Sequence, residues 1–376
     1  MKRLGLLLVA LLVLSGCSTG NAQLADEAAQ EPAAVVTATA TPTEAAASVT
    51  VYEEGCALFE AGELTHKYLD IYRPMVEDIC TDFEMRYDLI DLVLSPKVDR
   101  EDAQFYLDAN VFGLSYWDRY APNGVTPRRM LLLMEEEQDW WAEKLDELLI
   151  REPTWYGPTD EGGHCYAAVA EAFCPKLYVA NEGDTKGDFD VFTTMLGSRM
   201  DWSTFRKVVP IHEATHAFHT AIELSHWRYW LIEGQATYFE LAASVLVPDQ
   251  GFGNWRDDQL RQAFSQDEIK FNATTNEEAY EHFVACQRAN CDGLRYIGSS
   301  FAHELLVNSY GMEAYFAWNQ DMAATLPPMN WRNYDQEKSD LGQKLFPEIF
   351  EKHFGVDLET WERDFYMPYL IENYRL

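Results

Sequence analysis

The chain is short of basic residues. It contains 29 Lys and Arg against 62 Asp and Glu, which gives a formal net charge of −33 over 376 residues. A surface this acidic repels nucleic acid and anionic lipid headgroups, so the composition argues against both as direct partners. We expect a solvated, exported surface, and a preference for cationic substrates is the alternative explanation of the charge.

Several patterns that indicate other chemistry are missing as well. The chain has no Gly-x-Ser-x-Gly motif, so nothing in it supports serine-based hydrolysis. None of the cysteines has Cys-x-x-Cys spacing, which argues against zinc ribbons and thioredoxin-like redox sites. Beyond the first residues no apolar run reaches 18 residues, so no further transmembrane helix is expected.

The first 50 residues have the character of an export leader and a tether. Lys2 and Arg3 precede an apolar run over 4–14 that is too short to span a bilayer permanently. The following Leu-Ser-Gly-Cys17 resembles the lipobox of bacterial lipoproteins, which implies cleavage after residue 16 and diacylation of Cys17. An ordinary signal peptide with an incidental cysteine is the alternative. We therefore expect residues 17–50 to be the lipidated cysteine and a tether. The tether is expected to be flexible, because 18–50 contain no Lys, Arg or aromatic residue from which a core could form.

Six further cysteines follow in the body of the chain. An even number of cysteines in an exported protein indicates disulfide bonds, although fifteen pairings are possible. Pairing of sequence neighbours is the simplest set, and it joins Cys56 to Cys80, Cys165 to Cys174, and Cys286 to Cys291.

Hydrophobic periodicity predicts a body made mostly of helices. Helices are expected over 62–92 (one or two), 99–120, about 135–149, about 205 or 210 to 223, 230–245, 277–285, 296–309, 313–324 and 358–370, with Asp357 as an N-cap. Strands are expected at 130–134, 166–170 and 176–180, the last two as a hairpin. A small early sheet followed by helices indicates an α+β fold.

One segment combines the residues of a zinc hydrolase. Residues 211–216 read Ile-His-Glu-Ala-Thr-His, an HExxH motif. On a helix, His212 and His216 lie one turn apart on one face and can ligate the same ion, with Glu213 beside them as a general base. A catalytic zinc needs a third protein ligand, and Glu233, 17 residues beyond His216, is the candidate. Two histidines simply packed on a helix face are the alternative.

Two other acids near the motif are less suitable as ligands. Glu223 lies seven residues beyond His216 and is too remote along the same helix to share its ion. Glu240 lies seven residues beyond Glu233, and a straight helix can bring only one of the two to the metal. Small residues at 234 and 236 favour Glu233, because they let the two helices approach closely at that level.

The chain resembles the gluzincin metallopeptidases, the thermolysin-like group, and among them the bacterial peptidase-MA-like proteins. The resemblance runs from about residue 175 to the C-terminus. It is carried by HExxH, by Trp-x-x-Glu-Gly-x-Ala-x-Tyr-x-Glu over 230–240, and by Tyr-x-Gly-x-x-Phe over 296–301 with Tyr-Gly at 310–311. A further segment, Phe-x-x-x-Phe-Gly over 350–355, is expected to open the last helix. It implies a thermolysin-like fold, with a helical region over 51–125, a catalytic region over 126–376, and a strand near 176–180 lying along the substrate cleft.

Departures from related patterns narrow this assignment. His219 and Ile222 stand where metzincins need Gly and His, so that class is excluded. Thr237 stands where thermolysin has an Asp that orients a histidine, which leaves the contacts behind the ligands open. The Gly-x-Met-x-Asn segment of related aminopeptidases is not apparent, which favours an endopeptidase.

The residue that stabilises the oxyanion is the least constrained part of the hypothesis. Tyr296 is the first candidate because a phenol can donate a hydrogen bond to a tetrahedral intermediate. Tyr238, His303 and His226 are alternatives, and plain aromatic packing would explain any of the tyrosines. We expect His219 to lie behind the ligands or at the surface.

The HExxH motif predicts a zinc hydrolase, and the resemblance implies hydrolysis of peptide bonds. We therefore expect a lipid-anchored, extracytoplasmic zinc peptidase of the bacterial cell envelope that acts on peptides or proteins. Its metal ligands are His212, His216 and Glu233, its general base is Glu213, and Tyr296 supports the oxyanion. A surface-anchored lipoprotein that binds zinc without turnover is the alternative, although a pure binding site has no need of Glu213.

Overall fold

The computed structural model describes most of the body of the chain. The described residues are 49–98, 100–121, 129–134, 140, 176–179, 190–195, 203–222, 229–247, 255–257, 260, 275–289, 294–327 and 335–374. Residues 1–48, which include the expected leader and most of the expected tether, and the cysteines at 165, 174 and 291 lie outside these ranges. Among the described residues, no helix is both long and apolar enough to cross a membrane.

Helices form most of the described structure. They are α1 (Val51–Glu60), α2 (Leu69–Cys80), α3 (Arg100–Asp118), α4 (Ser203–Ala221), α5 (Tyr229–Val245), α6 (Asn276–Ala289), α7 (Ser299–Thr325), α8 (Gln336–Phe354), α9 (Leu358–Trp361) and α10 (Met367–Tyr374). A 3₁₀ turn covers Tyr87–Leu89, and π-helical segments cover Leu294–Gly298 and Glu362–Tyr366. The prediction of a helix-rich body is confirmed.

A four-stranded sheet precedes the long run of helices. Its strands are β1 (Ile90–Leu94), β2 (Arg129–Met134), β3 (Lys176–Val179) and β4 (Asp190–Met195), in the order β1-β2-β4-β3. Strands β1, β2 and β4 run parallel to one another, with Ile90 opposite Arg129 and Arg129 opposite Asp190. Strand β3 runs antiparallel to β4. β3 is thus the outer strand of the described sheet, and it lies beside α4.

The strand predictions are partly confirmed. The strands expected at 130–134 and 176–180 are present as β2 and β3. The proposed hairpin partner at 166–170 and the helix expected over about 135–149 fall outside the described residues, apart from a helical residue at 140. The described partner of β3 is instead β4, which periodicity did not predict.

The one or two helices expected over 62–92 are confirmed only for 69–80, because residues 62–68 and 81–94 are not α-helical. Helix α2 ends at Cys80, the Thr81 backbone is extended, and Asp82 takes a positive φ of 50°. Residues 90–94 then form β1, which pairs with β2 about forty residues later. Apolar residues at 83, 87 and 90 fit a helical period as well, so only this long-range pairing distinguishes the two structures.

Later elements follow the predictions with smaller changes. The helices expected over 296–309 and 313–324 are the two parts of α7, which bends at Gly311, where φ is 82°. Asp357 caps α9 by accepting a hydrogen bond from the Thr360 amide. The Phe-x-x-x-Phe-Gly segment closes α8 rather than opening the last helix, because Gly355 adopts the left-handed conformation that ends a helix.

A disulfide ties the first two helices together. Cys56 on α1 is bonded to Cys80 at the end of α2, with a Cα–Cα distance of 5.2 Å. This confirms one of the three predicted pairs. The other two pairs involve residues whose side chains the structure does not describe.

Helix α4 is held against α3 and α5 inside the main aromatic core. Trp117 on α3 stacks on Phe218 of α4 at a centroid distance of 4.6 Å, and its Nε1 donates to Oγ1 of Thr215. Gly113 permits the close approach of α3, since a Cβ there would lie 2.5 Å from the Cβ of Ala214. Helix α4 continues through Pro210, which cannot donate the amide hydrogen bond at that level. These contacts fix the face of α4 that carries the HExxH motif.

Candidate metal site

Helix α4 presents the two histidines of the motif to one point. His212 and His216 lie one turn apart, and their Nε2 atoms are separated by 3.1 Å. His212 is buried, whereas the His216 side chain keeps 15% of its exposure. The sequence expectation that both imidazoles converge is confirmed.

Helix α5 brings a carboxylate to the same point. Oε2 of Glu233 lies 3.4 Å from Nε2 of His212 and 3.3 Å from Nε2 of His216. The three donor atoms form a nearly equilateral triangle, and the Glu233 side chain is 12% exposed. These three residues are the group of the described structure that could hold a metal ion.

A second carboxylate lies behind His212. Nδ1 of His212 is 3.0 Å from Oε2 of Glu240, which is also on α5. Since a carboxylate only accepts, His212 carries a proton on Nδ1, and its Nε2 faces the metal position. Burial would lower the pKa of His212, but the hydrogen bonds with Glu233 and Glu240 outweigh it and raise the pKa to about 10, so a metal ion at this position would displace a proton from Nε2. Glu240 lies outside the group that could hold a metal ion, and it contacts one member of that group, His212.

Glu240 is itself held by the segment 255–257. Nε1 of Trp255 donates to Oε1 of Glu240 at 2.5 Å. The next residue, Arg256, is buried and forms an ion pair with Glu304 on α7, and it also donates to the Tyr72 hydroxyl at 2.6 Å. This anchor fixes the position of Trp255, and through it the carboxylate that orients His212.

Different contacts lie behind His216. Nδ1 of His216 is 3.4 Å from Nδ1 of His219, and Nε2 of His219 is 2.6 Å from Oε1 of Gln235. His219 is 1% exposed. Its burial, together with the neighbouring His216, lowers the pKa of His219 to about 3. His219 thus lies behind the ligands, which is one of the two positions expected for it.

Glu213 and Tyr296 both lie near the metal position. Glu213 follows His212 directly on α4, is half-buried, and affects the His212 imidazole electrostatically. Tyr296 lies in the π-helical segment before α7, with its ring centroid 6.1 Å from that of His212. Its side chain is half-buried, so the phenol is neither sealed in the core nor fully in solvent.

The alternatives to Tyr296 are less suitable. Both nitrogens of His303 are engaged, Nε2 with the Trp230 carbonyl at 2.8 Å and Nδ1 with the Tyr315 hydroxyl at 2.7 Å. Tyr238 is fully buried, and its ring lies against Tyr72 and His303. His226 and Glu223 fall outside the described residues, and α4 ends at Ala221 before either is reached.

The role expected for Gly234 is wrong in its detail. A Cβ at Gly234 would lie 2.5 Å from the Ser299 carbonyl oxygen, so this glycine permits close approach of α7 rather than of α4. A side chain added at Gly234 would nevertheless disturb the backbone close to the site, because Glu233 is the adjacent residue.

Sequence reasoning missed the partners of the ligands. Glu240 was noted only as a competing ligand, although its position on the Glu233 face was a usable signal. No local pattern pointed to Trp255 or Gln235, since their contacts depend on how distant helices pack.

Comparisons with family models, with curated proteins and with solved structures gave no match.

Proposed function

We propose that this chain is a zinc-dependent peptidase, and that His212, His216 and Glu233 hold the zinc. The triangle of donor atoms, with sides of 3.1–3.4 Å, carries the proposal. Tetrahedral zinc with bonds of 2.0–2.1 Å requires ligand atoms about 3.3 Å apart. Two nitrogens and one carboxylate oxygen are the ligand set of catalytic zinc sites that keep one position open.

The remaining groups suit hydrolysis of a peptide bond. Bound zinc would supply Lewis-acid chemistry, polarising the scissile carbonyl and making a water molecule more acidic. The Glu213 carboxylate accepts a proton from the attacking water and delivers it to the leaving amine. The Tyr296 hydroxyl donates a hydrogen bond to the oxygen on which negative charge develops.

The arrangement around α4 supports an endopeptidase with the fold of the gluzincins. β3 is the outer strand of the described sheet and lies beside the helix that carries the motif. An extended peptide can add to such a strand through main-chain hydrogen bonds and so pass the metal position. Glu240 takes the place of the Asp that thermolysin has four residues after its ligand, because it orients His212 from seven residues beyond Glu233.

Digestion of a peptide library, read by mass spectrometry, tests this function. Wild-type protein should cut internal peptide bonds, lose that activity in a chelator and regain it with zinc. Glu213→Gln keeps all three ligands and should be inactive by several orders of magnitude while still holding zinc. Zinc binding with no cleavage by the wild type would instead support the alternative, a zinc-containing binding lipoprotein.

We place the enzyme outside the cytoplasm, anchored to a membrane of the bacterial envelope by acyl chains on Cys17. The support is the Leu-Ser-Gly-Cys17 sequence after a short apolar run, followed by 33 residues that contain no Lys, Arg or aromatic residue.

A further inference from the structure

A chain of buried hydrogen bonds runs from His216 away from the metal position. It passes through His219 on α4 and Gln235 on α5 to Tyr315 on α7, and it returns through His303 to the Trp230 carbonyl at the start of α5. His219, Gln235, Tyr315 and His303 are all 0–1% exposed. Bulk water is therefore kept from these groups, and each donor needs the acceptor that the chain provides.

The donor and acceptor roles along this series of hydrogen bonds are set at the end farthest from His216. The Trp230 carbonyl can only accept, so Nε2 of His303 carries a proton and donates to it at 2.8 Å. Burial lowers the pKa of His303 to about 4, so this imidazole is neutral near pH 7 and its Nδ1 is an acceptor. The Tyr315 hydroxyl therefore donates a hydrogen bond to Nδ1 of His303, at 2.7 Å.

The orientation of the Gln235 amide is fixed by two acceptors. The Tyr315 hydroxyl uses its hydrogen to donate to His303, so its oxygen accepts a hydrogen bond from Nε2 of Gln235 at 2.8 Å. The Asn319 amide nitrogen donates to the Tyr315 carbonyl at 2.9 Å, which turns its Oδ1 toward Gln235 at 2.9 Å. Both contacts require the NH₂ group of Gln235, so its Oε1 faces His219.

The same direction then reaches the metal ligand. Because Oε1 of Gln235 only accepts, the proton of His219 is on Nε2, at 2.6 Å. With its proton on Nε2, the buried His219 ring faces His216 with Nδ1, which accepts a hydrogen bond from Nδ1–H of His216 at 3.4 Å. With its proton on Nδ1, His216 directs the Nε2 lone pair at the position shared with His212 and Glu233.

We infer that His219 is a positioning residue that holds His216 in its metal-binding tautomer, and that Gln235 holds His219 in the tautomer that accepts a hydrogen bond from Nδ1–H of His216. The inference rests on the proposed function, since it assigns His216 as a zinc ligand. His212 is oriented by a carboxylate, whereas His216 is oriented by a neutral imidazole. Orientation of His216 by an imidazole adds no further negative charge to a site that already contains Glu233 and Glu240.

Histidine tautomers can be read directly by NMR. In protein labelled with ¹⁵N-histidine, the His219 signals, assigned by their loss in His219→Gln, should show a protonated Nε2 and an unprotonated Nδ1. Gln235→Met removes the lock and should populate the form of His219 protonated on Nδ1. Thr237→Val is the matched control on the same helix, because the buried Thr237 hydroxyl has no hydrogen-bond partner in the described part of the chain. A wild-type His219 protonated on Nδ1 would overturn the inference.

Zinc affinity, measured by competition with a chelator, gives an independent result. His219→Leu and Gln235→Met should each weaken binding about 10–100-fold, the usual effect of losing a group behind a metal ligand. His219→Asn keeps an amide oxygen near the position of Nδ1 and should lose clearly less than His219→Leu. Thr237→Val should bind like the wild type.

These outcomes separate the inference from the proposed function. Equal zinc affinity in the wild type and in all variants at 219 and 235 would reject the inference and leave the function intact. A wild type that binds no zinc would reject the function, and the tautomer of His219 in the metal-free protein would still decide the direction of the chain. If His219→Leu fails to fold, the comparison of His219→Asn with Gln235→Met decides.

Discussion

Nδ1 of His212 lies 3.0 Å from Oε2 of Glu240, while Nε2 of the same ring lies 3.4 Å from Oε2 of Glu233. The two carboxylates are seven residues apart on α5, two turns along one face. A straight helix cannot bring both to one ion, but a single imidazole from α4 spans the distance between them. One carboxylate is therefore left for the metal position and the other for the orientation of the histidine.

Glu240→Gln should weaken zinc binding about 10–100-fold without abolishing it, because the ligand set remains and only the group behind His212 changes. Chelator competition measures the loss. Glu240→Ala should weaken zinc binding at least as much as Glu240→Gln, since it also removes the acceptor of the Trp255 hydrogen bond. An affinity equal to that of the wild type in both variants would show that the contact with His212 contributes nothing to metal binding.

Gly234→Ala should destabilise the fold and disturb the site at once. Its Cβ would lie 2.5 Å from the Ser299 carbonyl oxygen, so α5 or α7 must shift, at a cost of about 1–3 kcal/mol. Thermal unfolding and zinc affinity should both decrease. Gly62→Ala is the comparison, because its positive φ of 71° strains an alanine while the space around it is open. It should lower the melting temperature alone.

The Cys56–Cys80 disulfide should contribute about 3 kcal/mol to the free energy of unfolding, as expected for closure of a loop of this length. The double variant Cys56→Ala/Cys80→Ala should therefore unfold at lower denaturant concentration, yet retain zinc. Alkylation of the denatured, non-reduced protein tests the wider pairing hypothesis. We expect no free thiol among the six cysteines after Cys17, and two or more alkylated sites would reject it.

Cys17→Ala should release the protein from membranes, because the acyl chains on this cysteine are the only anchor proposed. Fractionation of cells expressing the wild type and the variant measures the change. The catalytic body should be equally active in both. A variant that still sediments with membranes would contradict the lipoprotein hypothesis.

Local patterns were sufficient wherever the structure depends on local geometry. The HExxH spacing placed His212 and His216 correctly, because an i and i+4 pair converges on any helix. Asp357 was recognisable as an N-cap for the same reason, because the free amides at the start of any helix need an acceptor such as an Asp side chain. The assignment of Glu233 needed one further assumption, that α5 crosses α4 at the level of the motif, and the structure agrees.

Features that depend on distant contacts could not be predicted in this way. Residues 90–94 become a strand only because β2 is available as a partner. His212 and His216 are oriented by Glu240 and His219. These two are held in turn by Trp255 and Gln235, whose positions depend on the packing of several elements. Gly234 was recognised as a site of close approach, but the neighbouring helix was misassigned for the same reason.

The zinc content of the purified protein tests the central claim most directly. Metal analysis after dialysis against dilute chelator should find one zinc per chain in the wild type and in Glu213→Gln, and almost none in Glu233→Ala. Glu213 is adjacent to a ligand but is not one, so it serves as the matched control for substitution of an acid at the site. Full zinc occupancy in Glu233→Ala, or loss of zinc in Glu213→Gln with Glu233 intact, would contradict the assignment of the site.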